Sequence, residues 1–369
     1  MKIAMIILAA GFSRRMGVLK PLLPVGKQPA ILRCISAAEH AGISDIIAVT
    51  GHNKDLICDI LRTYAPSARI AHNDRYRDGM FSSVCTGVVN LPRDIDGFFL
   101  LPADCCAVSA DALKTLIGEF EKAGREFVTR PKFQGKRGHP PLIPAQFVPQ
   151  LITYSGEDGL KGILRQLPTL EIEMPDCFAL LDMDTPEDYA VLLEHLGLPA
   201  YPDSAQCAEL FSECNTPDDI VRHGQHVAET ALKIAGLINL KQPLTINTEL
   251  LNSACLLHDI KRAEPEHAMR GMEFLLKKGY PRAAILVGEH MDLSAPPTGI
   301  GESELLYLAD KLCRRGNLVR LDETLREIEA RFASDSDALI SAKTRIENAM
   351  VILELLKRQY GIGYSDIFS

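Results

Sequence analysis

The sequence predicts two domains of different class in 369 residues: an α/β domain with a mostly parallel, Rossmann-like sheet over residues 1–196, and an all-α domain over residues 216–369, with a linker at 197–215. Three observations carry this prediction. Through the first half, apolar runs of strand length alternate with segments of helical period, the pattern of a parallel sheet covered on both faces. After residue 217 the strand signal vanishes and long amphipathic periods take over. In between, GLPAYPDSAQCAELFSECNTP at 197–217 gathers Pro, Ser and Gly without a sustained period, as a boundary does. The length suits two domains at roughly 150 residues each.

The first strand is the apolar run that passes into ILAAGFSRRMGVLK at 7–20. It breaks into a glycine-bracketed loop carrying Ser13, Arg14, Arg15 and Lys20. A strand that turns into a helix over small residues presents free backbone N–H groups, which suits phosphate. Residues 30–41 place Ile31, Cys34, Ile35 and Ala38 at helical spacing, closed by Gly42. IIAVTG at 46–51 reads as a buried strand, Asn53 as the cap of a helix bearing Leu56, Ile57, Ile60 and Leu61, and ARIAH as a short strand. NDRYRDGMFSSVCTGVVN at 73–90 leads through Gly79 into a helix. DGFFLLPADCC at 96–106 is a strand running into Asp104. Ligands of open α/β sheets sit beyond the carboxyl ends of strands, so Asp104 is expected beside the opening loop. A helix capped by Ser109, a strand near EFVTR and the segment GKRGHPPLIP at 135–144 follow. FALLDMDTPEDYA at 178–190 reads as a strand that ends in Asp182 and Asp184 before a helix. In the second half, residues 219–238, 248–261, 266–279, 281–290, 302–315 and 317–359 all favour helix.

Composition narrows the function. Lys and Arg total 40 against 48 Asp and Glu, and with a net charge of -8 and no basic block the chain lacks the footprint of a nucleic-acid coat. The ten cysteines include no CxxC pair, so they read as buried small residues in a reducing cytoplasm rather than a zinc ribbon or disulfide framework. The apolar run after Lys2 is read as a buried strand and not a secretory leader, and no run approaches the ~20 residues of a membrane span. A cytoplasmic protein with neither nucleic-acid nor membrane partner is expected.

The first half resembles the MobA-like nucleotidyltransferases. LAAGFSRRMGVLK looks like their signature loop, and IIAVTG, HNDRYRDGMFSSVCTGV, FFLLPAD, GHPPLIP and LLDMDTPEDY follow in the family's order. Among its members the likeness is strongest to the molybdenum cofactor cytidylyltransferases, which join CMP from CTP to molybdopterin and release pyrophosphate. Guanylyl-transferring members usually carry two glycines where this chain has Ala9-Ala10-Gly11, which tilts the expected base toward cytosine. The resemblance implies that Leu8, Ala9, Ala10, Gly11, Ser13, Arg15, Gly17 and Lys20 bind the nucleotide's phosphates, with Arg15 and Lys20 also catalytic. It implies that Asp104 is the catalytic Mg²⁺ ligand, joined by Asp182 or Asp184. It places Asn73, Gly79, Ser82 and Ser83 beside the base or ribose, and His139 on the acceptor side. Relatives often have proline just after the metal-binding aspartate, where this chain has Cys105-Cys106. CTP or another NTP, molybdopterin, and a downstream molybdoenzyme or its accessory protein are the implied partners. A different phosphorylated acceptor, such as a sugar phosphate, is the alternative.

The helical half resembles the HD-domain phosphohydrolases over roughly 216–315. The residues that carry the likeness are His223 in VRHGQH, His258-Asp259 in LLHDIKR, His267 in PEHAM, His290 in GEHMD and Asp310 in LADKL. Imidazole nitrogen with carboxylate oxygen and no cysteine suits a first-row divalent metal such as Mn or Fe. The resemblance implies that His223, His258, Asp259 and Asp310 hold one metal, that His267 and His290 belong to a binuclear form, and that Asp259 is catalytic. Lys261 and Arg262 are expected to meet a substrate phosphate. A nucleotide sensor without turnover is the alternative reading of this half.

Overall fold

The computed structural model describes residues 1–314, 316–333 and 335–369, which divide into two units, Met1–Leu198 and Pro199–Ser369. In the first unit the strands are β1 (Ile3–Ala9), β2 (Pro24–Val25), β3 (Gln28–Pro29), β4 (Asp45–Thr50), β5 (Arg69–His72), β6 (Gly97–Pro102), β7 (Val128–Phe133), β8 (Lys136–Arg137), β9 (Leu142–Pro144) and β10 (Thr169–Glu173). The helices are α1 (Ala30–His40), α2 (Lys54–Tyr64), α3 (Met80–Val89), α4 (Ala110–Lys122), α5 (Val148–Thr153), α6 (Gly159–Gln166) and α7 (Pro186–His195). All but the β2–β3 hairpin join one sheet in the order β10-β7-β9-β6-β1-β4-β5, with β8 paired to β7. It is mostly parallel, and β9 runs antiparallel between β6 and β7. Every residue of β1 is buried, as expected for a central strand covered on both faces.

This order has a direct consequence for function. β1 pairs in parallel with β4 on one side and β6 on the other, so the chain leaves β1 at a switch point, where a crevice opens beyond the strand ends. On one face, Ile6, Val49, Phe98 and Leu100 pack with Val84 and Val88 of α3. A side chain at Gly87 would put its Cβ 2.4 Å from Ile6 Cγ2, so glycine is what lets α3 lie this close to β1.

Three expectations fail in this unit, the first being the helix expected straight after the opening loop: the chain runs instead through a 3₁₀ turn at Lys20–Leu22 and the β2–β3 hairpin before α1 begins at Ala30. Asn53 precedes α2, yet its φ of 53° is left-handed and its side chain makes no capping bond, because the N-cap bond needs an extended residue. The segment at 178–180 is a 3₁₀ turn instead of a strand. β10 already pairs with β7 along the sheet edge, and the Ala179 carbonyl is used by the His139 N–H at 2.9 Å. A Cβ at Gly138 would lie 2.1 Å from that carbonyl oxygen, so this contact requires glycine.

The second unit contains α8 (Ser204–Glu213), α9 (Asp218–Lys241), α10 (Thr248–Leu257), α11 (His267–Lys278), α12 (Pro281–Glu289), α13 (Glu302–Leu312), the two-residue strands β11 (Cys313–Arg314) and β12 (Asn317–Leu318), α14 (Leu321–Arg331), α15 (Ser336–Tyr360) and α16 (Tyr364–Phe368). α8 occupies the stretch expected to be a linker. Its N-terminus is a capping box in which Asp203 and Gln206 each bond the other's backbone N–H, and Cys207 and Leu210 are buried one turn apart. The prolines on either side hid that three-residue cap signal. The run at 317–359 divides into α14 and α15, the latter capped by Asp335 through the Ala338 N–H at 3.1 Å. Among the described residues no helix is long and apolar enough to cross a membrane.

Candidate functional sites

The loop after β1 is built by its own residues. Ser13 takes φ 53°, its carbonyl accepts the Met16 N–H at 3.2 Å, and its hydroxyl oxygen accepts the Lys20 N–H at 3.1 Å. Met16 and Val18 are buried and pin the loop to the core, leaving Arg14 and Arg15 exposed. A cleft of about 720 Å³ opens at the ends of β1 and β6. It is lined by Leu8, Ala9, Ala10, Gly11, Ser13, Arg15 and Lys20, by Gly79 and Ser83, and by Asp104, His139, Asp182 and Asp184.

Gly17, Asn73 and Ser82 do not line it. Gly17 forms a left-handed turn in the loop. Asn73 is a buried brace: its Nδ2 donates to the hydroxyls of Ser82 and Ser83 at 2.8 and 2.9 Å, while its Oδ1 accepts the Arg75 N–H at 2.9 Å. It thereby holds the 73–83 segment in shape and leaves Gly79 and Ser83 to face the cleft. Arg14, expected in the loop, and Phe12, Tyr76, Arg77 and Met80, which no motif singles out, also line the cleft. Phe12 packs on His52 and Tyr76 with ring centroids 5.0 and 5.3 Å apart, and the Arg14 guanidinium lies 4.7 Å from the Phe12 ring. The one sequence signal for this wall is an aromatic residue inside a glycine-bracketed loop.

Charge is concentrated at the cleft floor. The Lys20 ammonium donates to Asp104 Oδ2 at 3.0 Å and to Asp184 Oδ1 at 2.5 Å, and Arg15 reaches Asp184 Oδ2 at 2.8 Å. Burial pulls the Lys20 pKa down, but the Asp184 and Asp104 carboxylates outweigh it and the net shift is upward. The hydrogen bond from Lys20 holds the Asp184 carboxyl below its ordinary value. Burial pushes Asp182 up, helped by the charge on Asp184. Three carboxylates at one cleft suit a hard cation such as Mg²⁺, although Asp104 and Asp184 meet through Lys20 and not directly.

In the second unit the expected histidines and aspartates come together from five elements. α9 supplies His223, the end of α10 supplies His258 and Asp259, α11 begins with His267, His290 follows α12, and α13 carries Asp310. Among the described residues, two groups can each hold a metal ion: His223, His258 and Asp259, and Asp259, His267 and His290. Asp259 belongs to both. Its Oδ1 lies 3.3 Å from His267 Nε2 and 3.5 Å from His290 Nε2, while Oδ2 lies 3.6 Å from His258 Nε2. Asp310 Oδ1 completes the first group, 3.1 Å from His223 Nε2 and 3.4 Å from His258 Nε2.

Ring orientation strengthens the case. The Nδ1 atoms of His258 and His290 face the carbonyls of Cys255 and Val287 at 2.8 and 2.7 Å. Donation to those carbonyls fixes the tautomer and leaves each Nε2 as a lone pair aimed at the centre. His258 Nε2 is buried without a hydrogen-bond partner, the condition a metal ion would relieve. Arg262 reaches Asp259 Oδ1 at 3.3 Å, whereas the Lys261 ammonium pairs with Glu264 at 3.2 Å, so of the two expected cations only Arg262 touches the cluster. Lys311, which the sequence did not flag, is nearly buried and bonds Asp310 Oδ2 at 2.9 Å and the His290 carbonyl.

Comparison with known proteins bears on the first unit. The molybdenum cofactor cytidylyltransferase of Escherichia coli (strain K12) is 28% identical over 191 residues, covering 51% of this chain and 94% of that protein. The bifunctional protein GlmU of Clavibacter sepedonicus is 31% identical over 124 residues, 33% of this chain and 25% of that protein. The chain thus spans about a quarter of the length of the GlmU relatives it matches. A solved structure of a nucleotidyl transferase from Methanothermobacter thermautotroptrophicus aligns over 53% of this chain and 97% of its own, with 20% identity and a TM-score of 0.45. The family model of the MobA-like NTP transferase domain matches residues 5–171, from within β1 to the middle of β10. The part of the chain that carries the loop, the Asn73–Ser83 segment and Asp104 is therefore a MobA-like NTP transferase domain.

Proposed function

We propose that the chain transfers CMP from CTP to molybdopterin with release of pyrophosphate, and that its helical unit is a metal-dependent HD phosphohydrolase. The observation that carries the first part is the meeting of Lys20, Arg15, Asp104, Asp182 and Asp184 in one cleft at the ends of β1 and β6. The similarity to the E. coli cytidylyltransferase over nearly its whole length supports the choice of acceptor and base.

Nucleotidyl transfer asks little covalent chemistry of a protein and much positioning. The exposed N–H groups of the loop, with Arg15 and Lys20, hold the triphosphate chain. Asp104 with Asp182 or Asp184 would hold Mg²⁺, which when bound neutralises charge on the phosphates. Lys20 then has two tasks: it balances the carboxylates, and it draws the departing pyrophosphate toward the loop. Ser83 and Gly79 line the side of the cleft where short polar groups can meet ribose or base. His139 lines the acceptor side. An acceptor phosphate is already anionic at neutral pH, so no general base is needed.

For the second unit the carrying observation is Asp259, shared between two groups of ligands with the lone pairs of His258 and His290 turned inward. Such a set suits Mn or Fe, as one ion or two, and a metal held there would supply Lewis-acid activation of water at neutral pH. Arg262, bonded to Asp259, would meet the substrate's phosphate.

The test of the first part is incubation with Mg²⁺, molybdopterin and each NTP in turn, scored by pyrophosphate release. Turnover with CTP is expected. Use of GTP or UTP without CTP would overturn the base assignment, and turnover with a sugar phosphate alone would overturn the acceptor. For the second part, a phosphoester panel with Mn²⁺ or Fe²⁺ is expected to show hydrolysis, whereas tight nucleotide binding without turnover would make this half a sensor.

A further inference from the structure

Lys311 is a cation held almost out of water beside the histidine cluster. Its side chain is 8% exposed, against 52% for Arg262, the cation that bonds Asp259. A charge so buried is tolerated only where partners replace its water, and Lys311 has three. The ammonium donates to Asp310 Oδ2 at 2.9 Å and to the His290 carbonyl, and it lies 4.2 Å from the centroid of the Tyr307 ring. Tyr307 stands one helical turn before Lys311 on α13 and shares its face, whereas Asp310 is its neighbour in sequence and does not. The long apolar stem is what lets the ammonium bend back to that carboxylate.

These surroundings are fixed from a second side. Tyr307 is fully buried and its hydroxyl donates to the Arg345 carbonyl at 3.0 Å, while the Arg345 guanidinium holds Asp292 through bonds of 2.8 and 2.7 Å. The stretch from His290 to Asp292 is thus tied to α13 by Lys311 and to α15 by Arg345. Asp310 turns Oδ1 to His223 and His258 while Lys311 holds the other oxygen, so an ion held on Oδ1 would share one carboxylate with a fixed positive charge. Lys311 acts on such an ion in two opposed ways. By pinning Asp310 it spares the ordering of one short side chain, a small saving. By its charge it repels a divalent ion where little water screens the pair, and that interaction grows with the ion's double charge and with burial. Repulsion is the larger effect.

We propose that Lys311 is a positioning residue that sets the metal affinity of the second unit: acting through Asp310, it keeps the group formed by His223, His258, Asp259 and Asp310 from binding a divalent ion as tightly as those ligands alone would. This rests on the metal-centre reading of the helical unit. Arg262 has the same sign of charge, but it is half in water and its repulsion is screened. The nearly buried ammonium is therefore the one that tunes the site.

The experiment is calorimetric titration of the full chain, stripped with a chelator, with Mn²⁺. Lys311→Met removes the charge and is expected to tighten Mn²⁺ binding by roughly tenfold or more. Lys311→Gln also removes the charge but keeps a donor for Asp310; it should tighten binding too, and it gives the readout if Lys311→Met does not fold. Lys311→Arg keeps the charge and should stay within about threefold of wild type. A residue that only braced the fold would act the other way, since its loss would loosen Asp310 and weaken the hold on the ion. Unchanged or weaker Mn²⁺ affinity in the uncharged variants would therefore overturn the proposal and leave the metal-centre reading standing. If neither wild type nor any variant takes up Mn²⁺, the metal-centre reading fails and the proposal fails with it.

Discussion

Replacing Lys20 with methionine tests the arrangement at the cleft most directly. Lys20→Met keeps the length of the side chain and removes the ammonium, with its bonds of 3.0 Å to Asp104 and 2.5 Å to Asp184. Its side chain is only 12% exposed, against 72% for Arg15, so water cannot easily replace it. Asp184 keeps Arg15, but Asp104 loses the one cation bonded to it among the described residues and faces Asp182 and Asp184 across the cleft. The bond from Lys20 is also the main cause of the depressed Asp184 pKa, which the variant should therefore raise. A preorganised cationic donor of this kind is worth roughly 10²–10³ in rate, or about 3–4 kcal/mol. Arg15→Met removes one largely solvated contact and should cost less than about tenfold, mainly in KM. The assay is pyrophosphate release with CTP and acceptor varied independently. If Lys20→Met kept kcat/KM within about threefold of wild type, or if Arg15→Met were the more damaging change, Lys20 would not organise this site.

Further predictions cover the metal centre, pH and packing. Asp259→Ala removes the ligand common to both groups of the second unit; bound Mn or Fe per chain, measured by elemental analysis, should drop, and phosphoester hydrolysis should fall by more than roughly a hundredfold, while an unchanged metal content would refute the shared-ligand arrangement. Asp96 accepts the Lys2 N–H at 2.7 Å and bonds Arg125 at 2.7 Å, and the Lys2 bond first, then Arg125, hold its pKa below the ordinary value. Its folded-state pKa being the lower one, its stabilisation is full above the unfolded value of about 3.9 and is lost as pH falls through the folded value. Melts of wild type and Asp96→Asn should thus converge in acid and differ near neutrality. Gly87→Ala drives a methyl into Ile6 and Val49 and should cost about 1–3 kcal/mol, seen as a lowered melting temperature; an unchanged melt would mean that α3 is not in close contact with β1.

Some of this was legible in the sequence because it is local. The loop reads as a phosphate site from ILAAGFSRRMGVLK alone, since backbone donors and a bracketing glycine need no partner from elsewhere. Ser109 caps α4 as its position before an amphipathic run implies, accepting the Ala112 N–H at 3.1 Å. The α8 capping box, Asp203 three residues before Gln206, is equally local, but the flanking prolines mask it. Asn73, Gly79, Ser82 and Ser83 are expected beside base or ribose, but that Asn73 and Ser82 brace the segment while Gly79 and Ser83 face the cleft depends on how residues 73–83 fold back on themselves.

What the sequence determined by itself was the alternation of strands and helices, the shift to an all-helical second half, and the inventory of cations, carboxylates and imidazoles. These follow from side-chain periodicity and chemistry, which act over a few residues. Only the tertiary structure decided which members of the inventory meet. It set Lys20 between Asp104 and Asp184, residues 84 and 164 positions away, and made Asp259 common to two groups of histidines. The reason is physical: a strand order that places β1 between β4 and β6 is a property of the whole sheet, and the pairing of buried charges is fixed by that geometry and not by their spacing along the chain.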